Sequence, residues 1–203
     1  MPEPNTIESK IQLLVEGNDQ RNFFEAFIDH LSLADTQIQN FGGVTDLRPF
    51  LSILVKRSGF RETVQSVVIV RDAETSAQAA FQSVQSSLSN AGLPVPNRPE
   101  DRAGSNPAVT VLILPGNNRP GMLETLLNET FADTPEEACI NAFFDCVEAI
   151  PTVSINNPDK ARAYTYLTTK PNPHHSVGMA AKQRHWNLNH PVFDQLRQFL
   201  RAL

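Results

Sequence analysis

Four short, β-branched apolar runs separated by segments of helical periodicity constrain this chain more than any other feature. They are Ile11–Val15, Gln37–Phe41, Val64–Val70 and Val109–Leu114, with Val64–Val70 the most strand-like. Ile11–Val15 reads as a buried strand and Gln37–Phe41, closed by Gly42-Gly43, as a second. Between them, Phe23, Phe24, Phe27, Ile28 and Leu31 share one helical face, with Asp19 expected at the N-cap. Leu47, Phe50, Leu51, Leu54 and Val55 form a second such face, capped by Thr45 or Asp46 and ended by Gly59. Ser76–Ala91, Met122–Leu127 and Pro135–Ala149 continue the helical pattern. Strands alternating with helices imply right-handed crossovers and a parallel sheet. The expected fold is α/β, a mainly parallel sheet of about four strands flanked by helices over residues 1–150. After Pro151 the β signal stops. Asp159–Leu167, a short segment from Ser176 and Pro191–Leu203 read as a helical C-terminal extension, residues 151–203, packed on that domain.

Composition narrows the function classes. With 40% hydrophobic and 19% charged residues the chain reads as globular, and its apolar runs are too short to cross a bilayer. The first residues are acidic and polar, with no basic stretch ahead of an apolar one, so a cytoplasmic location is expected. The net charge of −5 leaves no global basic footprint, so a nucleic-acid partner must be met locally or through a metal. A local basic cluster does occur late in the chain: Lys160, Arg162, Lys170, Lys182, Arg184, Arg197 and Arg201. No GxxxxGK[ST], GxSxG or HExxH motif occurs, and Gly42-Gly43 is too short for a dinucleotide fingerprint. Cys139 and Cys146 lie seven apart on a predicted helix, too far to bridge, and read as buried small hydrophobes. His174, His175, His185 and His190 fit no zinc spacing and read as surface or loop residues, and Trp186 as a core anchor.

The chemistry is carried by acids. In an open parallel sheet, ligands bind beyond the carboxyl ends of the strands. Glu16 follows the first strand, and Asp72 and Glu74 follow the third. In extended backbone, residues two apart point the same way, so Asp72 and Glu74 can face one cation. Mg²⁺ takes oxygen ligands and needs only one or two protein carboxylates besides water and phosphate. The same alternation sends Arg71 to the opposite face, so it is not assigned to substrate. A plainer reading stands beside this one: acids at strand ends also cap the next helix, and Asp19 and Glu74 can do only that.

The segments Leu14-Val15-Glu16-Gly17-Asn18-Asp19 and Ile69-Val70-Arg71-Asp72-Ala73-Glu74 resemble the Toprim (topoisomerase–primase) superfamily. That superfamily carries a glutamate after its first strand, in a context Gly17 and Asp19 match, and a D-x-D aspartate pair after a later strand. Asp72 matches the first aspartate. Glu74 stands in place of the second, and its longer arm changes the geometry. The resemblance covers about residues 10–130, with 56 positions between Glu16 and Asp72. It is closest to small stand-alone Toprim-like proteins and more distant from the overcoming-lysogenization-defect nucleases and the ribosomal RNA maturases. It implies Mg²⁺, or Mn²⁺, held by Asp72 and Glu74. Glu16 would be the catalytic acid or base, or a ligand to a second metal, with Asp19 and Glu124 as further ligands. Lys170, Lys182 and Arg184 would hold the phosphate backbone if the C-terminal segment folds over the strand ends. The implied activity is Mg²⁺-dependent phosphodiester hydrolysis or phosphoryl transfer on DNA or RNA. The alternatives are a metal- or phosphate-binding module without turnover, and an interaction protein in a defence or repair assembly.

Overall fold

The computed structural model describes residues 2–173 and 175–203. Four strands, β1 (Ile11–Glu16), β2 (Thr36–Gly42), β3 (Ser66–Asp72) and β4 (Ala108–Leu114), form one sheet in the order β2-β1-β3-β4. Every pairing is parallel. The chain moves outward from β1 to β2, then crosses back over β1 to β3 and on to β4. The direction of winding therefore reverses between β1 and β3, which is the topological switch point.

Both faces of the sheet are covered, which explains the uninterrupted apolar runs. Leu13, Val15, Val68, Val70, Leu112 and Leu114 belong to one core layer. The helices over it are α1 (Gly17–Leu31), α5 (Leu123–Glu129), α6 (Pro135–Glu148), α7 (Pro158–Leu167), α8 (Val177–Lys182) and α9 (Asp194–Arg201). Leu14, Val67, Ile69, Val109, Val111 and Ile113 belong to the other layer, under α2 (Leu47–Leu54), α3 (Phe60–Thr63) and α4 (Ala77–Asn90). Ala163, Leu167, Val177, Ala180, Phe193 and Leu196, from the C-terminal helices and the short 3₁₀ turn Pro191–Phe193, join the same buried cluster as Phe23 and Phe27 of α1.

Several local expectations are corrected. Helix α1 starts at Gly17 with Glu16 at the N-cap, so Asp19 lies in the first turn rather than capping it. Its carboxylate accepts the backbone N–H of Gly178 at 3.3 Å instead. Asp46 stands at the N-cap of α2, but its side chain accepts from Gly43 N rather than from the helix. Gly59 opens α3 instead of closing α2. Cys139 and Cys146 are exposed, because α6 buries only Ile140 and Phe144 and both thiols lie off that stripe. Phe143 and Ile150 are exposed with them.

Helices α1 and α8 meet at Gly178, where a Cβ would collide with the carbonyl oxygen of Asp19 and approach Asn22 Cβ at 2.9 Å. Backbone cannot yield as a flexible side chain can. Gly178→Ala is therefore expected to destabilise the protein by at least about 2 kcal/mol, read as a lowered thermal midpoint. An unchanged midpoint would mean that the two helices do not approach this closely.

Candidate functional site

The ladder between β1 and β3 runs from Ile11↔Ser66 to Leu14↔Ile69 and stops there. Beyond it, at the carboxyl ends, the two strands no longer pair, and the acids sit on this opening. Glu16 continues the side-chain phase of Leu14 and lies laterally opposite Arg71. Asp72 continues the phase of Val68 and Val70 toward α5. Alternation separates Arg71 from Asp72 as expected, but it also places Arg71 beside Glu16, a relation invisible without the strand order. Arg71 Nε lies 3.9 Å from Glu16 Oε2, and the two side chains are only 8% and 16% exposed.

Glu16 stands at the N-cap of α1. Its side chain makes no capping hydrogen bond to α1. Gln20 does the local work instead, its Oε1 accepting from Glu16 N at 3.0 Å. Glu16 Oε2 is buried with no hydrogen-bond partner. Asp72 is fixed more firmly, its Oδ1 accepting from Leu123 N at the start of α5 at 3.0 Å. Glu74 is exposed and sits at φ 52°, with its backbone bridged to Gly121 in both directions at 2.8 and 2.7 Å. It does not cap α4 either, since Ser76 fills that position. Glu124, on the first turn of α5, is 6% exposed.

The electrostatics agree with this crowding. Burial pushes the Asp72 carboxyl well above the ordinary carboxylate range, and the neighbouring charges of Glu124, Glu16 and Glu74 push it further. Gln20 partly offsets this, although its Nε2 falls short of a well-formed hydrogen bond. Burial also raises Glu16, against the opposing pull of Arg71 and the Asp72 amide. Glu124 is raised by burial, with Lys160 opposing and Asp19 and Glu74 adding to the rise. Each of these acids therefore feels at least one of the others, and few cations stand nearby.

Among the described residues, no three His, Cys, Asp or Glu side chains are already gathered as a metal cage. The donors present are nevertheless hard oxygens, one of them a buried carboxylate oxygen with no hydrogen bond among the described residues. Mg²⁺ keeps much of its water and asks for only one or two protein carboxylates, so the set fits that ion.

The three cations expected to hold phosphate are engaged in other contacts. Lys170 Nζ sits 4.0 Å above the Tyr166 ring. Lys182 pairs with Glu25 at 2.5 Å, about 13 Å along α1 from its N-terminus at 1.5 Å per residue. Burial would raise Glu25, but hydrogen bonds from Lys182 and Arg21 outweigh it and hold the carboxyl below its usual range. Arg184 and Lys182 line a cleft of about 870 Å³ with Asp29, His30 and Trp186, on the flank of α1 rather than at the strand ends. His174 lies outside the described residues. His185 and His190 make local contacts to Gln183 and to Val192 N.

Other side chains reach the rim instead. Helix α7 docks on α5 through Asp159, which accepts from Thr125 Oγ1 and whose carbonyl takes Asn128 Nδ2 at 2.9 Å. That contact brings Lys160 near Glu124. It also brings in Tyr164, whose hydroxyl is raised by burial and by the charges of Asp19 and Glu124. Neither residue has a sequence signature, because both arrive from a helix far along the chain.

Fold and rim together define an open parallel α/β domain with a group of acids at its switch point. The chain belongs to the DUF3226 family, described as a protein of unknown function, whose model matches residues 10–203 and so takes in the sheet and the C-terminal helices alike. No curated protein and no solved structure matches it. Among the described residues no helix is long and apolar enough to cross a membrane.

Proposed function

We propose that this chain is a Mg²⁺-dependent phosphotransfer domain of the Toprim type, hydrolysing or transferring phosphodiester groups of DNA or RNA. The observation that supports it most is the buried Glu16 oxygen without a hydrogen bond, at the unpaired ends of β1 and β3 and near enough for its charge to act on Asp72. Mg²⁺, or Mn²⁺, held by Asp72 with Glu74 or Glu16, would neutralise charge developing on a phosphate. The protein's own part is to exclude water between the strand ends and to move a proton through Glu16, whose raised pKa suits an acid–base role. Asp19 is engaged by Gly178 and contributes charge more readily than a ligand atom. Glu124, which feels the charges of Asp19 and Glu74, would complete a second metal position.

A second reading, a metal- and phosphate-binding module without turnover, is favoured by one feature. Glu74 replaces the expected aspartate on a backbone pinned to Gly121. In either reading the working location is the cytoplasm, and a protein partner in a defence or repair assembly is compatible with both.

Cleavage of labelled single- and double-stranded DNA and RNA, with Mg²⁺ and with EDTA, separates the readings. Hydrolysis is expected only with Mg²⁺, and Glu16→Gln is expected to slow it by about a hundredfold or more. Equal cleavage in EDTA and by Glu16→Gln would refute the enzyme reading. Mg²⁺ binding with no cleavage would select the module.

A further inference from the structure

We infer that Arg71 forms a phosphate-binding subsite at the switch point, with Glu16 aligning its guanidinium. The inference rests on the metal reading above and adds a substrate contact that nothing in the sequence assigned.

The side chain of Arg71 is 8% exposed, so more than nine-tenths of it is out of water. Among the described residues its Nε and Nη1 have no acceptor. At 3.9 Å its nearest carboxylate oxygen, Glu16 Oε2, is beyond hydrogen-bond length, and that oxygen is itself unpartnered. Desolvating a guanidinium without hydrogen bonds is among the costlier arrangements a fold can hold. An oxyanion meeting the same guanidinium offsets part of that cost through its charge. Arg71 is the second position on β3 past the last rung of the β1–β3 ladder, laterally opposite Glu16 where the two strands no longer pair. Nη2 is absent from the buried, unpartnered atoms and is the nitrogen left to meet a ligand. The two N–H groups of Nη2 make the fork open to phosphate oxygens, and Glu16, 3.9 Å from Nε, fixes the guanidinium plane.

The surrounding charge sets a condition. Glu16, Asp72, Glu74 and Glu124 all lie near this point, with Arg71 and Lys160 opposing them. A bare anion would be repelled. Phosphate should therefore bind Arg71 only together with a divalent cation.

The test is titration of inorganic phosphate into the full chain, with and without Mg²⁺. Mn²⁺ affinity is followed separately by electron paramagnetic resonance. Wild type is expected to bind phosphate only with Mg²⁺. Arg71→Met should weaken phosphate at least tenfold while leaving Mn²⁺ affinity unchanged or tighter, since a nearby positive charge is gone. Arg71→Lys, which keeps the charge and loses the fork, should weaken it several-fold. If Mn²⁺ binds but phosphate affinity is the same in Arg71→Met, the inference is overturned and the metal reading stands. If Arg71→Met does not fold, as judged by circular dichroism, equal phosphate affinity in Arg71→Lys and wild type overturns it instead. If wild type binds no Mn²⁺, the metal reading falls and the subsite falls with it.

Discussion

Replacing Asp72 with asparagine is expected to abolish divalent-dependent activity, by at least about a hundredfold, and to make the metal-free protein more stable. The two effects share one cause. Burial and the charges of Glu124, Glu16 and Glu74 raise the Asp72 pKa in the folded protein, so the folded state holds that proton more tightly than the unfolded chain does. The resulting stability is fully present below the ordinary carboxylate range and is lost as pH rises through the raised value. Above that raised value the wild type has lost that contribution, whereas Asp72→Asn never depends on it. Asparagine keeps an oxygen for Leu123 N, so the anchor of α5 is retained. Saturating Mg²⁺ should reverse the ranking. At a hundred times the dissociation constant, a ligand of the folded state adds about 2.7 kcal/mol. For a chain of this length that is a rise of about 5–10 °C in the thermal midpoint, expected in the wild type and absent in the variant. Melting curves at pH 4 and pH 7.5, with and without Mg²⁺, check all of this. A variant that is less stable than wild type at neutral pH, and equally responsive to Mg²⁺, would make Asp72 a purely structural carboxylate.

Trp186→Ala is expected to have the largest effect on folding. Trp186 is 3% exposed, and its indole donates to the Val177 carbonyl at 2.9 Å. Its ring stacks on Tyr166 at 5.1 Å, and Tyr166 stacks on Phe131 at 4.2 Å. This column joins the segment after α8 to α7 and to the end of α5. Truncation removes a large buried ring and leaves a cavity, a loss of about 3–5 kcal/mol or a fall of roughly 10 °C in the melting midpoint. Since α7 carries Lys160 and Tyr164 to the rim, Mn²⁺ affinity should change as well. A midpoint within about 2 °C of wild type would show that the C-terminal helices are not part of the cooperative core.

β1, β3 and β4 were legible because they are buried on both faces and rich in Val, Ile and Leu, whereas β2 is a partly buried edge strand carrying Gln37, Gln39 and Asn40. Glu16 and Asp72 were legible because strand ends in such sheets gather ligands whatever the strand order. What hid Arg71 is that order. Alternation along β3 gives its face, but only the adjacency of β1 and β3 reveals that Glu16 shares it. The tail cations were misplaced for a related reason. Lys182 and Arg184 lie near α1 because Gly178 lets α8 pack against its first turn, and a glycine in a short helix carries no such message in sequence. The exposure of Cys139 and Cys146 escaped because an apolar helix at the edge of a core can bury as little as two side chains.

The account turns on one divalent ion at the unpaired ends of β1 and β3, and anomalous diffraction from a crystal soaked in Mn²⁺ tests it most directly. The expected result is a peak ligated by Asp72 together with Glu16 or Glu74, lost in crystals of Asp72→Asn. Saturating Mn²⁺ with no peak at that rim, or a peak unaffected by the Asp72→Asn change, would contradict it.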